Sequence, residues 1–562
     1  MSSFITRIEE LEQRLEEYDD PENDEGERDS GAAGLVQILR DVCAVVREAE
    51  ASDAENLRDI VEKAHGIIND GVKISYAVPP PIPIPDLWDD YESPSEYTTR
   101  LSRFRRGIAV SAMNETPLAQ MVYQARCEII DNRICEPSRL VVSPGATCLA
   151  VNAAGGWKNR DPILHYYLLG SDNPLLKPIT IDPGLSEVAH ALAMDESKRL
   201  IFVGDSYRVK SFSWDNGTPT GCRIETGTLV HTLDSDGCDG AIAIMPNGRI
   251  ARAGKGKLET HGPEKKLIGE GKFNAEDNSR GDDGEGIELS SGNKPHNAVK
   301  FEDVEFAPAA WHTHQPSGNI LCGENGQRDN RYGCIALDLE HGGKIAARYI
   351  GHGGDVDRFS TSEGDPHVFA TAGSDGFARL YDMRHPLPIL TFDCGKQSDP
   401  CTDVVLIHPD GIPSLFTGEN TSQQIKMWDI RSRAAVYELS TGNNAIVSMA
   451  WDYAHSTLYA ATECSYMDRF SRTYDYRRAR IPKWAEYDPE EDASMDKEDD
   501  DDDEYDEEED RCWPKKAYHG ENFFGYCFDA GIHRIYGYVF KGEPDMTQLP
   551  TYGQATMGSS YW

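Results

Sequence analysis

Cationic side chains are scarce in this chain: 56 Lys and Arg stand against 96 Asp and Glu over 562 residues, a formal net charge of −40. The deficit is uneven. Residues 1–30 carry 12 acidic and 3 basic side chains (net −9), and residues 486–510 carry 18 and 1 (net −17), so these two stretches hold 26 of the 40 excess negative charges. Without a compensating basic face, direct binding to nucleic-acid phosphates or an anionic membrane is not expected. Long apolar runs are missing too, and the start, MSSFITRIEELEQRL, turns acidic within nine residues, which argues against a membrane span or a signal peptide. The 13 cysteines are scattered, odd in number and without a CxxC pair. Free thiols in a reducing compartment, cytoplasmic and/or nuclear, follow from that usage.

Catalytic motifs are equally absent. There is no GxSxG, HExxH, Walker loop or GxGxxG after a strand. His312 and His314 fall on one face of a strand with Cys322 downstream, but no third and fourth ligand is evident. Asp499–Asp503 lacks the turn glycine and closing glutamate of a calcium loop. The expectation is a protein with no enzymatic activity, no metal and no cofactor.

What the chain does have is concentrated between Gly351 and Arg384: GHGGDVDRFSTSEGDPHVFATAGSDGFARLYDMR. A Gly351-His352 pair opens it. A strand-like run, Val368 to Ala372, meets a tight Ser374-Asp375-Gly376 turn, and the next strand ends in Tyr381-Asp382. Some 45 residues on, Met427-Trp428-Asp429-Ile430-Arg431 ends a second such unit. This layout resembles the WD40-repeat β-propeller family from about residue 137 onward. The resemblance implies a mainly β fold of seven blades, with eight as the alternative. It also implies a hydrogen-bond chain across each blade, with His352, Thr371, Asp375 and Tyr381 as its matching residues in one unit and Thr417, Trp428 and Asp429 in the next. With Tyr381 in place of Trp, the chain in its blade should be rearranged. All seven residues read as structural rather than catalytic.

Strand pairs place the blades. The first takes Leu140–Val142, Thr147–Val151 and Ile163–Leu169, and the second Val188–Met194, Leu200–Val203 and Val209–Trp214. The third begins with Thr228–Leu233, Ala241–Met245 and Ile250–Ala253 before a polar insertion at 254–297. Val299–Phe306, Asn319–Gly323 and Cys334–Leu339 give the fourth, and Gly351–Arg384 the fifth. Val404–His408, Ser414–Thr417 and Ile425–Asp429 form the sixth. Ile446–Trp451 and Leu458–Thr462 start a seventh, which Phe523–Phe528 and His533–Phe540 would complete beyond the acidic insertion at 486–510.

The expected domains are a helical region 1–78, a Pro-rich spacer and helical arm 79–136, the propeller 137–545 and a tail 546–562. Phe4, Ile8, Leu11, Leu15 and Tyr18 form a two-heptad a/d stripe that would dimerise weakly as a coiled coil or dock within the chain. Asp19 to Gly34 reads as an acidic loop. Leu35, Ile38, Leu39, Val42, Val45 and Val46 mark a second helix, and Ile60, Ala64 and Ile67 a third. PPPIPIP at Pro79–Pro85 is a spacer anchored by Leu87, Trp88 and Tyr91, and Thr116 to Asp131 reads as a further helix.

Arg384 and Arg431 each follow an aromatic-Asp pair by two. The run FATAGSDGFARLYDMR is similar to the box found in substrate receptors of cullin-4 ubiquitin ligases, which implies that these two arginines would contact a ligase adaptor. The helix, propeller and acidic-loop layout also resembles histone-binding WD-repeat proteins, in which the acidic loop would meet basic tails. A basic cluster, Arg477, Arg478, Arg480 and Lys483, sits beside that loop. The expected function is a protein–protein interaction scaffold, with a cullin-ligase adaptor or histones as alternative partners.

Overall fold

The computed structural model describes residues 3–19, 28–76, 102–104, 126–131, 134–170, 178–215, 224–225, 227–261, 287–288, 290–301, 303–324, 332–394, 400–411, 413–420, 424–430, 434–441, 444–464, 516–517 and 532–540. Outside them lie the Pro79–Pro85 spacer with Leu87, Trp88 and Tyr91, and Arg431. The basic cluster 477–483, Asp499–Asp503 and the rest of the acidic run 486–510, Phe523–Phe528 and the tail 546–562 also lie outside. The chain divides into two compact units. The first comprises Met1–Leu87, Ser235–Lys265 and Lys294–Leu406; the second comprises Trp88–Asp234, Lys266–Asn293 and Ile407–Trp562.

The first unit opens with three helices, α1 (Phe4–Asp19), α2 (Arg28–Ala51) and α3 (Leu57–Tyr76). Ser3 caps α1, its Oγ accepting the Thr6 N–H at 3.2 Å. Ile8, Leu11 and Leu15 are buried in one cluster with Ile38, Val42, Val45 and Val46 of α2 and Ile60, Ala64 and Ile67 of α3. Phe4 and Tyr18 pack against its rim. The a/d stripe is therefore filled within the chain rather than left for a second copy. Burying each such aliphatic side chain contributes roughly 1.5–3 kcal/mol, whereas the exposed pairs Arg7–Glu48 and Lys63–Glu9 add little. α2 starts at Arg28, inside the stretch the sequence marked as an acidic loop.

Three four-stranded antiparallel sheets follow in this unit. The third sheet of the chain is Ile242–Ile244, Ile250–Gly254, Lys257–His261 and Asn297–Lys300. The fourth is Pro308–Thr313, Ile320–Glu324, Cys334–Asp338 and Lys344–Tyr349, and the fifth Val356–Ser362, Asp365–Gly373, Phe377–Asp382 and Leu390–Asp393. Side chains of successive sheets meet in shared cores, such as Ala251, Leu258, Trp311, Ile320 and Ile335 between the third and fourth.

In the second unit the first sheet is built on Glu136–Val142, Cys148–Gly155, Asp161–Leu168 and Ile179–Ile181, with Ile224–Glu225 added in parallel. The second is Ala191–Asp195, Leu200–Gly204, Arg208–Ser213 and Thr228–Asp234. The sixth contains Ser414–Glu419, Gln424–Asp429 and Ala434–Ser440, with Ser102–Phe104 on the outside. The seventh runs Ala445–Asp452, Thr457–Glu463, Arg534–Val539, Arg126–Asp131 and Lys516–Ala517.

Three sequence expectations are corrected. Thr228–Asp234 pairs with Arg208–Ser213, so it closes the second sheet instead of opening the third. Lys257–His261 and Asn297–Lys300, partly inside the expected insertion at 254–297, are the outer strands of the third sheet, and Val299 belongs there rather than to the fourth. The Lys257–His261 strand escaped a hydrophobicity reading because it buries a carboxylate, Glu259, which accepts a hydrogen bond from Lys257 at 2.8 Å. Finally, Arg126–Asp131 is a strand, not the end of a helix, and pairs with Arg534–Val539. An open sheet edge offers a row of backbone partners that overrides weak local helix periodicity. Because Arg534–Val539 is the third strand of the seventh sheet, it founds no eighth. The fold is mainly β, with seven blades and an N-terminal three-helix arm.

Candidate functional site

Within the first unit, the fifth sheet carries the densest polar cluster. Its Ser374-Asp375-Gly376 turn has Gly376 at φ +83°, a conformation only glycine adopts without strain. The Asp375 carboxylate is 7 % exposed. It accepts from Arg379 Nη1 at 3.1 Å and Nη2 at 2.7 Å, from the Gly353 N–H at 2.7 Å and from the Phe377 N–H at 3.3 Å. Burial works against its charge, but the Arg379 guanidinium holds the carboxyl below its usual range.

Arg379 Nη1 also lies 3.2 Å from His352 Nδ1. A guanidinium only donates, so Nδ1 is the acceptor and the ring proton sits on Nε2. Nε2 faces Thr371 Oγ1 at 3.4 Å, and that hydroxyl donates a hydrogen bond to the Arg379 carbonyl at 3.5 Å. Burial, then the adjacent Arg379 charge, push the His352 pKa down to about 3, so the imidazole is neutral.

Tyr381 stands apart from this chain of bonds. Its phenol donates to the Ile350 carbonyl at 3.1 Å, while its ring stacks on Phe369. The rearrangement expected for Tyr in place of Trp therefore consists of Arg379 bridging Asp375 to His352. Sequence reading overlooked Arg379. Its position two residues before Tyr381 on one strand was the available signal.

The sixth sheet, in the second unit, keeps the simpler arrangement. Trp428 Nε1 donates to Thr417 Oγ1 at 2.9 Å, and both Thr417 and Asp429 are buried. Lys426, again two before the aromatic residue, forms a fully buried ion pair with Glu419. Replacing Trp428 with Phe is expected to lower stability by about 1–3 kcal/mol, from the orphaned Thr417 hydroxyl and lost volume. A urea titration measures it, and a change below about 0.5 kcal/mol would contradict this structural role.

Beyond the fifth sheet's third strand the chain turns through Asp382–His385. Asp382 accepts from the Arg384 N–H at 2.9 Å, from Arg384 Nε at 2.8 Å and from Nη2 at 2.5 Å. The hydrogen bond from Arg384 is the main reason the Asp382 carboxyl is held low. Asp382 is 9 % exposed and Arg384 64 %.

The helical arm docks beside this turn. Ile350 and Leu387 join the three-helix core, His385 Nδ1 meets Glu50 of α2 at 2.5 Å, and Arg348 Nε donates to Glu62 of α3 at 2.9 Å. Arg431, the other expected rim arginine, lies outside the described residues.

The histidine pair of the fourth sheet is engaged locally. His312 Nε2 meets Thr361 Oγ1 at 2.7 Å, His314 Nε2 donates to the Pro366 carbonyl at 2.7 Å, and Cys322 is buried. Among the described residues no three His, Cys, Asp or Glu side chains converge as metal ligands, and no helix is long and apolar enough to cross a membrane.

No protein-family model matches the chain, nor does any curated protein. Among solved structures it is similar to U3-55K, at 13 % identity and a TM-score of 0.43, covering 63 % of this chain and 96 % of that one. It is also similar to the WD40 repeats of RRP9, at 10 % identity and a TM-score of 0.44, covering 74 % of this chain and 98 % of that one. The protein's own features define its fold. Seven sheets among the described residues, a Gly351-His352 pair bonded into its blade, and Trp428-Asp429 ending a strand with its indole on Thr417 give this chain a seven-bladed β-propeller fold with a helical N-terminal arm.

Proposed function

We propose that this chain is a non-enzymatic platform for protein–protein contacts, and that the Asp382–His385 turn beside α2 is one of its partner surfaces. The observation that carries this is the Arg384 guanidinium. It is 64 % exposed, yet two bonds to Asp382 set its orientation. A pre-oriented guanidinium loses little entropy on binding and still offers N–H groups to a partner's carbonyl or carboxylate. The finer reading is a substrate receptor of a cullin-4-type ubiquitin ligase, supported by the Tyr381-Asp382-Met383-Arg384 spacing and by this exposure. The histone reading rests on the acidic run, which lies outside the described residues.

The test is a native-lysate pull-down comparing wild type, Arg384→Ala, Arg384→Ala/Arg431→Ala and a deletion of residues 488–510. Loss of a cullin-ligase adaptor in the arginine variants alone, with an unchanged melting temperature, is the expected outcome. Retention of the adaptor, or its absence from the wild-type eluate, removes the ligase reading. Loss of histones in the deletion alone would favour the chromatin reading. A wild-type eluate without stoichiometric protein partners removes the platform reading itself.

A further inference from the structure

Trp157 is 66 % exposed. It tips the turn Gly156-Trp157-Lys158-Asn159-Arg160 between the first sheet's second and third strands. The turn is strained. Lys158 (φ +62°) and Asn159 (φ +53°) both occupy the left-handed region, which is disfavoured for residues that carry a Cβ. At Gly156 (φ +67°) a substitution would be strained by the positive φ, and a Cβ there would crowd the Asp161 side chain. The Asn159 amide secures the far side by donating to Glu136 at 2.6 Å.

This backbone cost yields no buried core; it holds one large aromatic ring in water with two cations against it. Lys158 Nζ lies 3.7 Å from the ring centroid and Arg160 Cζ 5.8 Å. The corresponding turn of the second sheet repeats the theme, with Tyr207 41 % exposed and its backbone N–H held by Asp205 at 2.9 Å. Exposed, pre-positioned Trp flanked by Arg or Lys is the side-chain chemistry of an interface hot spot.

From this geometry we infer that the Trp157 turn is a docking site for an acidic segment of a partner protein, one that sets an aromatic side chain among carboxylates. The aromatic ring packs on the free part of the indole, and the carboxylates pair with Lys158 and Arg160. Charge complementarity selects that partner. Two adjacent cations, Lys158 and Arg160, suit a few carboxylates on a short peptide, whereas a nucleic-acid backbone needs an extended basic face. The inference rests on the reading of the chain as an interaction platform and assigns it a surface built from other residues than the Arg384 turn.

The probe is a fluorescently labelled dodecapeptide, DDDDDEYDEEED, which reproduces this chain's residues 499–510 and so has the required chemistry. Its anisotropy is titrated with the full chain and with Trp157→Ala, Lys158→Glu/Arg160→Glu and Arg384→Ala forms. A fifth form lacks residues 486–510. Binding should weaken about thirtyfold in Trp157→Ala and vanish in the charge reversal, at unchanged melting temperature. Arg384→Ala should bind like wild type, so that failure here and failure of the Arg384 surface remain separable. Equal binding by all variants, or none by wild type, overturns the inference. Binding of a labelled dodecathymidylate in place of the peptide also overturns it. Tenfold tighter binding by the deletion form would assign the site to the chain's own acidic run instead of a partner.

Discussion

Replacing Arg379 with Met is expected to destabilise the chain by about 3–5 kcal/mol, because it leaves a buried carboxylate without its cation. Asp375 is 7 % exposed and draws two of its four hydrogen bonds from Arg379. Methionine fills most of the volume, so the loss reports the charge and not a cavity. Arg379→Lys should recover only part of it, since a single ammonium cannot span both Asp375 oxygens and His352 Nδ1. Adding Asp375→Asn to Arg379→Met should restore most of the loss by removing the stranded charge while keeping an acceptor for the Gly353 N–H. Chemical denaturation of the four proteins measures this. A loss below about 1 kcal/mol in Arg379→Met would show that the cluster does not depend on its cation.

Acidification from pH 7 to pH 5 is expected to lower stability by on the order of 2–3 kcal/mol, through two buried neutral histidines. His352 is depressed to about 3, by burial and then by Arg379. His533 is depressed to about 4 by burial, and its Nδ1 accepts the Cys464 N–H at 3.1 Å. In the unfolded chain both titrate near 6.5, so below that pH the unfolded state binds protons that the folded state refuses. Their contribution is complete above about pH 6.5 and falls as pH drops toward the folded values, by roughly 2 kcal/mol each at pH 5. Asp357, pushed up to about 6 by burial, works in the opposite sense and offsets about 1.4 kcal/mol there. His352→Gln can still accept from Arg379 and donate to Thr371. It should lower stability at pH 7.5 yet flatten the acid slope between pH 6 and 5 by about one proton. An unchanged slope would mean that His352 titrates normally.

Turn chemistry made part of this molecule legible from residues alone. Ser374-Asp375-Gly376 needs a positive φ at its third residue, and Gly351-His352 supplies an imidazole close along the chain, so the fifth sheet could be placed without coordinates. Trp428 and Thr417 were readable for the same reason, since their strands are joined by a short connection. Arg379 was visible but ambiguous. A strand arginine two residues before an aromatic is as well suited to a solvated face as to a buried pair, and only the packing of the fifth sheet against its neighbour decides between them. Nothing in the residues distinguishes the Trp157 turn from any other connection between two strands, because exposure leaves no trace in hydrophobic periodicity.

The sequence by itself determined the mainly β class, the blade repeat near 45 residues, the three amphipathic helices and the absence of catalytic motifs, all of which depend on neighbours along the chain. Tertiary structure alone decided which strand closes which sheet. Arg126–Asp131 joins Arg534–Val539 across some 400 residues, and Thr228–Asp234 closes the second sheet. It also decided that the α1 stripe is consumed by α2 and α3, and that Arg384 is pinned by Asp382 while staying exposed. The physical reason is common to these cases. A backbone edge or an apolar stripe specifies that it needs a partner but not which one, and the choice is made by whatever surface the rest of the fold brings within reach.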